Sequence, residues 1–156
     1  MLELDIPYGP SLRLAHLVCD LNGTLACDGL LLPGVAERLR RLSELLELWL
    51  LTADTNRTAA GLAAELGLQV EVLGEGRGEA QKLAFVRRLG ALSCVAMGNG
   101  RNDVLMLREA ALALAVIGQE GASPEAIQAA DVVCYEPVEA LDLLLHTNRL
   151  IATLRA

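Results

Sequence analysis

Short, largely apolar runs alternate with segments of helical periodicity along most of this chain, and that alternation constrains the fold more than any other feature. "ELWLLT" ending at Thr52, "LQVEVL", "LSCVAMG", "LALAVIG" and "DVVCY" read as buried strands. Between them, "GVAERLRRLSELL", "TNRTAAGLAAELG", "EAQKLAFVRRLG", "NDVLMLREA" and "SPEAIQAA" read as helices, with Gly67 and Gly90 as stops and Ser123 as a cap ahead of Pro124. Strands that are apolar on both faces need helices on both sides, so the pattern predicts an α/β, Rossmann-like three-layer sandwich around a mainly parallel sheet. "LELDIPY" and "SLRLAHLVC" flank a Gly-Pro turn and predict an N-terminal β-hairpin whose second arm runs on into Asp20. From Pro137 onward the chain reads as helical to near its end.

A length of 156 residues, 53% of them hydrophobic, fits one domain spanning residues 1–156. The longest apolar stretches, such as "AALALAVIG", fall short of the roughly 20 residues that cross a bilayer. "MLELDIPYGP" lacks the basic-then-apolar order of a leader, so a cytoplasmic protein with no membrane partner is expected. A net charge of -7 with one Phe, one Trp and two Tyr argues against nucleic acid as a partner. The apolar excess leaves room for a homo-oligomer. Cys19, Cys27, Cys94 and Cys134 form no C-x-x-C pair and read as free thiols of a reducing compartment. His16 and His146 stand alone, without the partners of a metal ligand.

In parallel sheets ligands bind beyond the carboxyl ends of the strands, where the winding reverses. Asp20, Thr52 and "GNGRND" each follow directly on a predicted strand, so one sheet edge gathers them from distant parts of the sequence. A carboxylate at a strand tip, with backbone carbonyls and a second carboxylate nearby, is a hard-oxygen site suited to Mg²⁺ and thence to phosphate. Thr52 and Lys82 are available to meet the remaining phosphoryl oxygens. Lys82 is the single lysine among 13 basic residues. A lone lysine on a helix is ordinarily a solvated residue, but its place in the order Asp, Thr, Lys, Asp points to a position that needs a compact point charge.

Four motifs in that order, "DLNGTL" from Asp20, "LLTADT" with Thr52, "QKL" with Lys82 and "GNGRNDVLML" with Asp103, resemble the haloacid dehalogenase superfamily. Among its members they are most similar to soluble proteins related to the phosphorylation domain of P-type ATPases, as are the later "AVIG" and "ASPEAIQAADVVC". The resemblance implies that Asp20 is a nucleophile forming an aspartyl-phosphate and a metal ligand, with the Asn22 carbonyl as a second contact. It also implies that Thr52 and Lys82, with Ala53 beside them, hold the phosphoryl group, and that Asp103 holds Mg²⁺. Asp54, Asn99 and Asn102 are auxiliary candidates. Asn99 stands where the superfamily usually has a second acid.

The spacing from Asp20 to Thr52 leaves room for one helix and one strand, and that from Thr52 to Lys82 for a helix, a strand and "GEGRGE", so the chain is expected to be capless. Lacking a nucleotide-binding domain and a membrane segment, it is not expected to transport ions. "GEGRGE" sets its third glycine, Gly78, one residue too early for a dinucleotide fingerprint. A receiver-type phosphoacceptor would place its lysine last, whereas Lys82 precedes Asp103.

The residue two after the superfamily's nucleophile is usually an aspartate that protonates the leaving group and then activates water; here it is Asn22. General acid–base catalysis contributes about 10²- to 10⁴-fold, so an amide there implies slow turnover, a leaving group that needs no acid, or a substitute such as Asp28 or Asp54. The expected activity is therefore a slow Mg²⁺-dependent phosphohydrolase or phosphoryl-transfer enzyme, acting on a phosphorylated small molecule or an acyl phosphate. The competing expectation is a phosphate-binding or regulatory protein that keeps the fold without turnover.

Overall fold

The computed structural model describes residues 1–53 and 57–156. Its centre is a six-stranded parallel sheet of β3 (His16–Asp20), β6 (Glu47–Thr52), β7 (Gln69–Val72), β8 (Cys94–Gly98), β9 (Leu112–Val116) and β10 (Val132–Cys134). The strand order is β10-β9-β8-β3-β6-β7. The chain winds outward from β3 through β6 to β7 and returns to β8 on the other side of β3, so the winding reverses at the β3–β8 junction. Asp20 and Gly98 end the two strands that meet there.

Sequence alternation decides what each face packs. Leu17 and Cys19 of β3, Leu48 and Leu50 of β6, Val95 and Met97 of β8, and Leu112, Leu114 and Val116 of β9 bury against α1 (Val35–Ser43), α2 (Arg57–Leu66), α6 (Pro137–Leu145) and α7 (Thr147–Leu154). The intervening positions, Val18, Leu51, Ala96 and Ala113, face α3 (Gly78–Leu89), α4 (Val104–Glu109) and α5 (Pro124–Ala129). Trp49 of β6 meets Phe85 of α3 edge-to-face, with ring centroids 5.2 Å apart, and so joins strand to helix on this second side. Ser123 caps α5 by accepting from the Ala126 amide at 3.1 Å, with Pro124 in the first turn. Across the first face Arg38 of α1 clasps Asp142 of α6 through Nε and Nη2, both at 2.8 Å.

The N-terminal hairpin is present as β1 (Leu2–Asp5) and β2 (Ser11–Leu14), but its second arm does not run into Asp20. Ala15 interrupts it: its amide donates to the Ser93 carbonyl and its carbonyl accepts from the Glu47 amide, which turns the backbone from an antiparallel partner to the parallel sheet. The carboxy-terminal helix is likewise two helices, divided at His146. Between Asp20 and α1 the structure adds a small flap, β4 (Ala26–Cys27) paired antiparallel with β5 (Leu30–Leu31). Asp28 and Gly29 turn it with φ of 51° and 79°, the mirror-image turn that suits a two-residue hairpin. Apart from this flap, the described residues hold no insertion between β3 and β6 or between β7 and α3, and the fold is capless. The four cysteines are free. No described helix is long and apolar enough to cross a membrane.

Candidate active site

The carboxyl ends of β3, β6 and β8 open onto a cavity of about 490 Å³. Its wall includes Asp20, Asn22, Thr52, Ala53, Lys82, Asn99 and Asn102. Seven of the sequence-derived candidates thus share one cavity, although they come from four separate segments. Asp54 lies outside the described residues.

Lys82 organises the floor. It projects from α3 and is 1% exposed, and its ammonium donates to Asp20 Oδ1 at 2.7 Å and to Asp103 Oδ1 at 2.6 Å. A buried ammonium is expensive unless paired, and here two carboxylates pair with it. Burial alone pushes the Lys82 ammonium down, but Asp20 and Asp103 outweigh it and its pKa is raised. Asp20 moves the other way from the ordinary carboxylate: burial first, then the Asp103 charge, push it up to about 6 against the opposing pull of Lys82. Two carboxylates facing one ammonium leave a surplus negative charge at the sheet edge.

Asp103 is fully buried, and its second oxygen accepts from the amides of Asn99 and Gly100, each at 2.9 Å. Gly98 permits this approach. A β-carbon built there would stand 2.5 Å from Asp103 Cγ, so any side chain would displace the carboxylate.

Asn99 has a different environment from a metal-binding acid. Its carboxamide accepts from Thr24 Oγ1 at 3.3 Å and donates to the Gly121 carbonyl at 2.9 Å, while its own carbonyl accepts from the Ser123 amide at 2.8 Å. A carboxylate could accept from Thr24 but not donate to Gly121. The amide at 99 therefore ties "DLNGT" to the loop after β9.

Two features of the cavity lay outside the sequence expectation. Gly74, Gly76 and Gly78 line it, so "GEGRGE" is a wall of this site rather than a dinucleotide fold element. Its signal was positional: it follows a strand tip and leads into the helix that carries Lys82. Glu120 also lines the cavity, from the loop after β9, whereas Asp28 sits exposed at the flap turn and is absent from the wall. No spacing rule pointed to Glu120; only its place just past a strand tip could have.

A family model for haloacid dehalogenase-like hydrolases matches residues 6–111. The chain belongs to this family. Uncharacterized protein MJ0073 of Methanocaldococcus jannaschii is 51% identical over 61 residues, 39% of this chain and 66% of that protein, so the chain spans just under two thirds of its length. MJ0072 of the same organism is 50% identical over 40 residues, covering 26% of this chain and 91% of its own. Among solved structures, 3-deoxy-D-manno-octulosonate 8-phosphate phosphatase from Moraxella catarrhalis, in complex with magnesium ion, phosphate ion and KDO, superposes with a TM-score of 0.69 at 18% identity. The match covers 91% of this chain and 94% of that one. The cobalt-bound Haemophilus influenzae phosphatase gives 0.72 at 15% identity, covering 88% and 90%. At such identities the likeness establishes the fold, and this chain is a capless haloacid dehalogenase-like hydrolase with an N-terminal hairpin.

Proposed function

We propose that this hydrolase cleaves phosphate from a phosphorylated small molecule or an acyl phosphate through an aspartyl-phosphate on Asp20, and that its turnover is slow because Asn22 carries no transferable proton. The observation that carries the reading is the buried Lys82 ammonium held between Asp20 and Asp103 beneath the same cavity that Thr52 and Ala53 line. A structural neighbour whose complex holds magnesium and phosphate supports it.

The donor set fits Mg²⁺: hard oxygens only, with a surplus negative charge shared by Asp20 and Asp103. Those two carboxylates and the Asn22 carbonyl would hold the ion, with Asn99 and Asn102 on its border. Bound there, it would neutralise charge on the phosphoryl oxygens and align them with the nucleophile. The family's second acid is Asn99 here, which lowers the ligand charge by one.

The protein's own groups would act in two displacements. A carboxylate oxygen of Asp20 attacks phosphorus, the phosphorus–oxygen bond to the leaving group breaks, and Thr52 and Lys82 donate to the oxygens on which charge gathers. Water then attacks the phosphorus, the bond to Asp20 breaks, and inorganic phosphate leaves while the water's proton passes to solvent. An ester must find its leaving-group proton from solvent or another side chain, since Asn22 has none to give. An acyl phosphate releases a carboxylate and needs no such proton, so it is the faster substrate.

Intact mass after incubation with acetyl phosphate, with and without Mg²⁺, tests the proposal. A phosphoryl adduct that requires Mg²⁺ and vanishes in Asp20→Ala is the expected result; an adduct that persists in Asp20→Ala overturns it. A second reading, binding without turnover, is favoured by Asn22 alone. It predicts saturable phosphate-ester binding with no phosphate release.

A further inference from the structure

We infer that Glu120 selects the leaving group, favouring phosphate esters whose alcohol carries a cation or hydroxyl donors over those that carry a second anion. The inference rests on the phosphohydrolase reading and adds a substrate class to it.

Glu120 belongs to the loop between β9 and α5, and that loop is fastened at several points. The Ile117 and Gly118 amides donate to the carbonyls of Cys134 and Tyr135 at 3.0 and 2.8 Å. The Gly121 carbonyl is held by the Asn99 side chain, and the Ser123 amide by the Asn99 carbonyl. Between these fixed ends Glu120 turns its carboxylate over Gly23, next to Asn22. A β-carbon built on Gly23 would stand 2.7 Å from Asn99 Nδ2 and closer still to Glu120 Oε2. Gly23, with φ of 78°, leaves the space into which the carboxylate leans.

Charge in the cavity is unevenly spread. Lys82 is the one cation among its described lining residues, and both its strong partners are carboxylates of the floor. Around the mouth stand Glu120, the amides of Asn22 and Asn102, and the glycines at 74, 76 and 78, the intervening Glu75 and Arg77 lying outside the wall. With the phosphoryl group held over Asp20 and Lys82, the rest of the molecule passes this rim. A carboxylate or second phosphate there meets Glu120 with no described cation in the wall to balance it, whereas an ammonium or hydroxyl finds a strong acceptor. Asn99 has a further consequence: an aspartate at 99 would set a second carboxylate beside Glu120 and lose the bond to Gly121.

Three two-carbon esters isolate the effect: 2-aminoethyl phosphate, 2-hydroxyethyl phosphate and phosphoglycolate, ending in ammonium, hydroxyl and carboxylate. In the wild type with Mg²⁺, kcat/KM is expected to fall in that order, with about tenfold between the extremes and most of it in KM. Glu120→Gln should shrink the range to about twofold and Glu120→Lys should invert it. Equal values in the wild type, or a range unchanged in Glu120→Gln, overturn the inference. Calorimetric affinities of the same esters for Asp20→Asn with Mg²⁺ read the ranking without turnover. Ranked affinities that collapse in Asp20→Asn/Glu120→Gln support the inference even if no phosphate is released, an outcome that defeats the hydrolase reading alone. Phosphate release at equal efficiency and affinity for all three defeats the inference alone.

Discussion

Two clusters of charge tie distant parts of this chain together, and they do opposite things with burial. Arg38 and Asp142 join α1 to α6 by a two-pronged contact, each side chain about a quarter exposed, and their charges cancel. Lys82, Asp20 and Asp103 join α3 to β3 and to the short turn between β8 and α4, almost wholly buried, and their charges do not cancel. The first arrangement is what a clasp needs: modest desolvation, good geometry, no surplus. The second keeps an unbalanced negative charge largely out of water, which is costly for folding and is what the proposed function would use to draw in a cation. Charge neutrality therefore separates the clasp from the candidate-site cluster better than distance does, since the contacts are of similar length.

Substitutions that unbalance each cluster test this contrast. Lys82→Met leaves two buried carboxylates facing each other and should cost about 3–5 kcal/mol in metal-free urea unfolding. A loss below about 1 kcal/mol would mean that the carboxylates are not jointly ionised. Gly98→Ala pushes a methyl group against Asp103 and should cost about 2 kcal/mol by the same measurement, with phosphoryl-enzyme formation lost as the carboxylate moves. Asp20→Asn removes the surplus charge, so its effect should have the opposite sign: metal-free stability unchanged or higher by about 1 kcal/mol, while the phosphoryl adduct disappears. If it destabilises as much as Lys82→Met, the two clusters are of one kind.

Arg38→Ala should cost about 1 kcal/mol at neutral pH. Its pH dependence has a definite sign. The Arg38 guanidinium, by hydrogen bonding above all, holds the Asp142 carboxyl below its usual range. A depressed carboxylate stabilises the fold above its unfolded pKa and ceases to as pH falls through the lower folded value. The gap between wild type and Arg38→Ala should thus be full at pH 7 and shrink below about pH 4. A gap that stays constant to pH 2.5 would assign the loss to the packing of the arginine stem rather than to the ion pair.

What sequence alone makes legible here follows from length and periodicity. β3 and β6 are mostly apolar runs that end in a polar residue, so "ELWLLT" reads directly as Glu47–Thr52, and the tips carrying Asp20, Thr52 and Gly98 fall on one edge. The flap escapes because two-residue strands are too short to alternate; only Asp28-Gly29 marks it. Ala15 hides the break between hairpin and sheet, because "SLRLAHLVC" stays apolar while the backbone exchanges partners. Asn99 reads as a lost acid in sequence and as a gained clasp in structure, since its partners Thr24 and Gly121 lie far away along the chain. Glu120 carries no signature at all. A glutamate in a loop is ordinary until the fold sets it over Gly23.

The Trp49–Phe85 contact gives the molecule an optical reporter. The chain has a single tryptophan, and its indole touches the helix that bears Lys82, one turn beyond that residue. Tryptophan emission from the unmodified protein therefore arises from one place, next to the helix whose ammonium would, on the proposed function, exchange a carboxylate partner for a phosphoryl group. On that function, occupancy of the cavity should be readable as a change in this emission, with no label attached and no background from a second indole.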